Sequence, residues 1–215
     1  MPETPDAERD RAMQALTAEF AALSTARSST VFDSSGRATL FLNTVAGSLV
    51  ALAFVGNVTG LGPVFSAFAL VLLPTLVFIG TATFVRTVQS AIEDVHYVRG
   101  MNRIRGFYVD QAPMIRDVLV MPAEDTLDTV SQGAGFRPSR WQEFLTTAGM
   151  VEVVNSVLVG AFVSLLVATL GVGLLPVSVL IGVAAFAVSL ALHHRAMTRS
   201  WQQFDQEVLA ATENS

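Results

Sequence analysis

Two blocks of this 215-residue chain, Ala38–Val85 and Val153–Leu192, contain no Asp, Glu, Lys, Arg or His. No other feature limits the fold as much. At 1.5 Å rise per residue, helices of these lengths would measure roughly 72 and 60 Å, against a bilayer hydrocarbon core of about 30 Å. Each block must therefore cross a membrane twice. The composition agrees: 52% of residues are hydrophobic and only 14% charged, where a soluble domain carries about 25% charge.

The points of reversal are legible. "GNVTGLGP" (Gly56–Pro63) breaks the first block and "GVGLLP" (Gly171–Pro176) the second. Gly permits a tight reversal, and Pro is tolerated at the first helical position because its missing N–H would have no partner there. The predicted spans are Ala38–Val55, Val64–Val85, Val153–Leu170 and Val177–Leu192. The fold class expected is all-α, an integral membrane protein with four transmembrane helices as two similar hairpins and amphipathic cytoplasmic helices.

Charge sets the expected orientation. All 13 basic residues are Arg: four precede the first span, seven lie between spans two and three, and Arg195 and Arg199 follow the last. Neither hairpin turn is charged. The positive-inside rule then places both termini and the central segment in the cytoplasm and both turns outside. The opening "MPETPDAERD" lacks the basic-then-apolar pattern of a cleaved signal. A formal net charge of −5 argues against a nucleic-acid surface, which requires a basic field. The absence of Cys removes disulfides, thiolate metal sites and thiol nucleophiles.

Five segments follow: an N-terminal cytoplasmic amphipathic helix within 1–37, a first hairpin over 38–85, a cytoplasmic helix and linker over 86–144, a second hairpin over 145–192, and a C-terminal cytoplasmic helix over 193–215. Met13, Leu16, Phe20 and Leu23 form a helical stripe that calls for a partner or the membrane surface. After the second span the helical pattern continues through Val88, Ile92, Val95 and Ile104, weakened by Gly100. Pro113, Pro122, "SQGAG" and Pro138 mark a linker, with one short helix expected from Ala123 and Glu124 and Asp125 in its first turn. The hairpins resemble each other. Asn43-Thr44-Val45 matches Asn155-Ser156-Val157, Gly47 matches Gly160, "LGPV" matches "LLPV", and Asn to Pro spans 20 residues in one and 21 in the other. An internal repeat with both copies in the same orientation is expected.

Candidate functional residues lie at the inner ends of the spans. Glu152 and Asn155 are one turn apart on one face, with Ser156 beside them. Counting from the centre of the second hairpin, Glu152 and His193 fall at the same level near the cytoplasmic headgroups: the plainer reading of Glu152 is an interfacial carboxylate that reaches water, and the sharper one is a Glu–His contact across the hairpin, sensitive to pH. The first hairpin has Leu40 in place of Glu152. Asn43 and Asn155 lie a turn deeper, where amides hydrogen-bond between helices for about 0.6 kcal/mol. Asn43, Glu152, Asn155, Ser156 and His193 thus make up the candidate intramembrane polar site. Ser178, Gly182, Ala185 and Ser189 form a small-residue stripe suited to close helix approach. Pro74 interrupts the second span, frees the carbonyl of Leu70, and is the candidate hinge. Arg99, Arg103 and Arg105 interleave with Tyr97, Phe107 and Tyr108, a pattern suited to lipid headgroups or a phosphorylated ligand. Its plainer meaning is a flanking cluster that fixes topology. Glu93 and His96 have the spacing of a di-iron helix, but no second Glu-x-x-His accompanies them. No catalytic arrangement, cofactor or metal site is expected.

"YVRGMNRIRGFYVDQAP" followed by "FLTTAGMVEVVNSVLVG" resembles uncharacterised multi-pass membrane proteins of GC-rich bacteria, which carry no assigned activity; the resemblance implies a topology. A cytoplasmic helix, a two-span hairpin and a long cytoplasmic helix are also similar in layout to SLATT-type two-span membrane effectors, a likeness that ends at the second hairpin. The expected function is non-enzymatic: membrane signalling, scaffolding or effector action by a homo-oligomer. The expected partners are the lipid bilayer and a cytoplasmic protein, not nucleic acid. The alternative is a small transporter or channel with a path between the two hairpins.

Overall fold

A computed structural model describes residues 5–126, 129, 146–171 and 175–213. Its elements are four long helices, α1 (Pro5–Thr59), α2 (Pro63–Gln111), α3 (Thr147–Thr169) and α4 (Leu175–Glu213), with a short 3-10 helix, η1 (Pro113–Val118), after α2. No strand occurs among the described residues. All four helices are long and apolar enough to cross a membrane.

The helix ends follow from local chemistry. Gly60 and Gly171 each sit at φ +68°, the left-handed conformation in which Gly avoids the steric cost of a Cβ. Pro63 opens α2, and the Thr146 side chain accepts the Gly149 N–H at 3.1 Å to cap α3. α1 runs unbroken through "STVFDSSGRA". That stretch has residues of modest helix propensity but no Pro, and Gly costs only about 1 kcal/mol against Ala. The N-terminal helix and first span are therefore one helix, as are the fourth span and C-terminal helix. Pro74 lies inside the continuous α2.

The chain divides into two compact units. The first comprises Met1–Asp33 and Ser90–Gln142. In it α1 and α2 run antiparallel: Arg9 Nε donates to Gln111 Oε1 at 2.7 Å, Thr17 and Tyr108 hydroxyls meet at 3.4 Å, and Arg27 Nε donates to Asp94 Oδ1 at 2.8 Å. Leu23 lies against Gly100, 3.1 Å from where a Cβ would stand. The stripe from Met13 to Leu23 thus packs on the second half of α2, whose Val98, Met101, Asn102, Ile104, Arg105 and Val109 are buried. Residues 123–126 are not helical, contrary to the expected helix from Ala123. Asp125 instead pairs with Arg99 at 2.9 Å and the Glu124 carbonyl accepts from Asn102 at 3.3 Å, so side chains of α2 claim the groups that would have started the helix. Farther on, Thr129 is helical and its N–H donates to Thr126 Oγ1 at 3.3 Å, while residues 127–128 and 130–145, the "SQGAG" segment among them, lie outside the described residues.

The second unit comprises Ser34–Gln89 and Glu143–Ser215. Ala38, Phe41 and Val45 of α1 and Ala69, Leu73, Leu76, Gly80, Phe84 and Val88 of α2 turn inward at spacings of three and four, as helices packing on one face must. α3 and α4 are antiparallel and approach closely through glycine. A Cβ on Gly160 would stand 2.8 Å from the Gly182 carbonyl oxygen, and one on Gly182 2.7 Å from Ser164 Cβ. The α4 stripe faces this contact: Ser178, Gly182 and Ser189 are buried and Ala185 half-buried. The outward face carries large apolar side chains, among them Val50, Phe54, Val71, Phe78, Leu180 and Val188.

Candidate functional site

Asn155 is the centre of the polar groups in the second unit. It occupies the third turn of α3 and is fully buried, as are Ser156 beside it and Glu152 one turn earlier. Three helices meet at its side chain. Nδ2 donates to Thr81 Oγ1 of α2 at 3.0 Å and faces His193 Nε2 of α4 at 3.2 Å. Ser189, one turn before His193, donates from Oγ to Ser156 Oγ at 3.2 Å, and its carbonyl accepts from His193 Nδ1 at 2.8 Å. Phe84 of α2 closes the ring edge to face, with centroids 4.8 Å apart.

The seat for Asn155 exists because residue 80 is Gly. A Cβ there would overlap Asn155 Oδ1 and stand 2.8 Å from Phe41 Cζ. Oδ1 itself is buried with no hydrogen-bond partner and rests against the Gly80 backbone, where only a weak Cα–H contact is on offer.

Of the five residues expected to form one polar site, the structure brings four into one neighbourhood, with two corrections of detail. His193 takes Asn155 and Ser189 as partners, not Glu152. Glu152 and His193 share a level only where both helices are straight and equally tilted, and a one-turn offset between α3 and α4 is enough to exchange Glu152 for Asn155. Asn43 is exposed on α1, so it does not mirror the buried Asn155 despite their matching sequence context. Gly80, Thr81 and Phe84 join the site without any motif that marks them in the sequence. A Gly beside a Thr within the apolar second span was the available signal.

The three arginines separate in the first unit. Arg99 pairs with Asp125, Arg103 is exposed, and Arg105 is only 8% exposed. Arg105 donates to Asn102 Oδ1 at 2.8 Å and lies 5.1 Å over the Phe20 ring, a cation–π arrangement. It has no carboxylate partner among the described residues. Burial, and secondarily the nearby positive charge of Arg27, hold its guanidinium below the usual arginine range. Glu93 and His96 are exposed on α2.

No protein-family model, no curated protein and no solved structure matches this chain.

Proposed function

We propose that the chain is a non-enzymatic integral protein of the bacterial inner membrane that self-associates and acts in membrane signalling, scaffolding or effector action. In this reading the termini and the arginine-rich central segment are cytoplasmic and available to a protein partner. Its hairpins descend from one duplicated unit.

The observation that carries self-association is Asn43. It is exposed on α1 in line with Ser35, Thr39, Gly47 and Ala51, all also exposed and each four residues from the next. An amide in hydrocarbon is costly without a hydrogen-bond partner. A second copy supplies one, because Asn both donates and accepts, and small residues on either side let two helices approach closely. The polar cluster around Asn155 is consistent with this role, since its side chains bond to one another across α2, α3 and α4.

Light scattering of the detergent-solubilised protein tests the proposal. The wild type is expected to be oligomeric and Asn43→Leu to shift it to monomer without changing helix content. A monomeric wild type overturns self-association. A transporter or channel is the competing function, favoured by the burial of Glu152 at 1% exposure in an apolar helix. Flux in proteoliposomes that Glu152→Gln and Asn155→Ala both abolish, with folding intact, would replace the scaffold reading with that one.

A further inference from the structure

The hydrogen-bond roles around His193 can be assigned from chemistry. The Ser189 carbonyl oxygen, 2.8 Å from Nδ1, can only accept, so Nδ1 carries a proton. In the neutral ring Nε2 is then an acceptor, and the group facing it at 3.2 Å is Asn155 Nδ2, which can only donate. Nδ2 also donates to Thr81 Oγ1, whose own hydrogen goes to the Val77 carbonyl at 2.9 Å. The other amide atom, Oδ1, is buried against Gly80 without a hydrogen-bond partner. The arrangement therefore suits a neutral His193. A proton on Nε2 would set N–H against N–H.

We propose that His193 is a proton-binding site read out by Asn155, whose side-chain amide turns over when Nε2 is protonated. The proton comes from water, and no covalent bond of the protein other than Nε2–H is made. A half-turn about χ2 exchanges Oδ1 and Nδ2 between nearly superimposable positions. Oδ1 then accepts from Nε2–H and from the Thr81 hydroxyl, which rotates away from Val77, while Nδ2 takes the place against Gly80. One amide atom lacks a partner in either state, so that cost cancels to first order and the charge on His193 decides the orientation. Gly80 is what permits both orientations, because it presents no side chain to either atom.

The exchange reorders every hydrogen bond that ties Asn155 of α3 to α2 and α4. Within four residues along the chain of the site's side chains, the charged and titratable groups are Arg37 on α1, Arg86 on α2, Glu152 on α3, and His194 and Arg195 on α4. Glu152 alone among these is acidic. His193 is half-buried and near the charged end of its span, so a proton can reach it from water.

NMR of the full chain in phosphatidylcholine nanodiscs, labelled with ¹⁵N and ¹³C at His and Asn, tests this. At alkaline pH the His193 ring is expected as the Nδ1–H tautomer. On acidification the Asn155 side-chain amide resonances are expected to shift with the same midpoint as the ring. His193→Gln is expected to abolish the Asn155 shift and His194→Gln to leave it. An Nε2–H tautomer at alkaline pH, or Asn155 resonances that stay fixed while His193 titrates, overturns the proposal. Both wild-type readouts decide it even where a variant does not fold. The site lies within one chain, so the result is independent of whether the protein self-associates.

Discussion

Gly80 and Gly36 are both mid-helix glycines, yet their environments predict opposite responses to one added methyl. At Gly36 nothing lies within 4 Å of the new Cβ, so Ala gains its helix propensity of up to about 1 kcal/mol. At Gly80 the Cβ collides with Asn155 Oδ1 and Phe41. Asn155 must leave its seat and give up Thr81 and His193, and overpacking of this kind costs about 1–3 kcal/mol. Thermal unfolding in detergent is expected to rank Gly36→Ala at or above wild type and Gly80→Ala clearly below it. Equal midpoints for wild type and Gly80→Ala would show that Asn155 is not seated as described. Arg105 presents a different residue-level case. Its charge is buried with an amide and a ring as its partners, and replacing such a charge by an apolar side chain of similar length often costs little. Arg105→Met is expected to stay within about 1 kcal/mol of wild type. A larger loss would mean that Asn102, deprived of its donor, or the Phe20 contact matters more than the desolvation relieved.

At the scale of elements, the segment after η1 is held on α2 by few bonds, and this makes it separable. Arg99 pairs with Asp125, both side chains about one-fifth exposed. Asn102 reaches the Glu124 carbonyl, and Gly106 admits the Ala123 carbonyl, 2.9 Å from where its Cβ would stand. A part-exposed ion pair contributes on the order of 1 kcal/mol. Arg99→Ala is therefore expected to speed limited proteolysis within residues 119–126 several-fold while leaving the unfolding midpoint of the whole chain nearly unchanged. A cleavage rate equal to wild type would show that the carbonyl contacts alone hold the segment. Much of the element layer was legible in the sequence. Gly60, Pro63 and Gly171 announce their turns because few other residues suit those backbone positions. The stripes at Met13–Leu23 and Ser178–Ser189 mark contact faces because helical periodicity carries that information. Pairing between helices was not legible. Glu152 and Asn155 share a face of α3, and which of them meets His193 depends on helix offset and tilt, quantities with no local signature. The burial difference between Asn43 and Asn155 was hidden for a related reason: similar hairpins do not expose the same face when their neighbours differ.

For the whole molecule, the proposed arrangement in the membrane rests on arginine alone. Every basic residue is Arg and every one lies outside the two charge-free blocks, on segments that an even number of crossings keeps on a single side. The inverted arrangement would carry seven arginines across between spans two and three and six more at the two ends, whereas the turns at Gly60 and Gly171 carry none. The K/R bias of short flanking segments sets orientation, and acidic residues contribute little to it. The net charge of −5 therefore does not oppose the assignment. Alkaline phosphatase fused after Thr59 or Gly171 is expected to be active, and inactive when fused after Val118 or Ser215. Green fluorescent protein should give the reverse pattern. Converting Arg195 and Arg199 to Gln removes the basic residues after α4's apolar part but leaves the other eleven, so the pattern should persist. Phosphatase activity at Val118 in the wild type would overturn the topology. With it would go the cytoplasmic assignment of the arginine-rich segment on which a docking role for that segment depends.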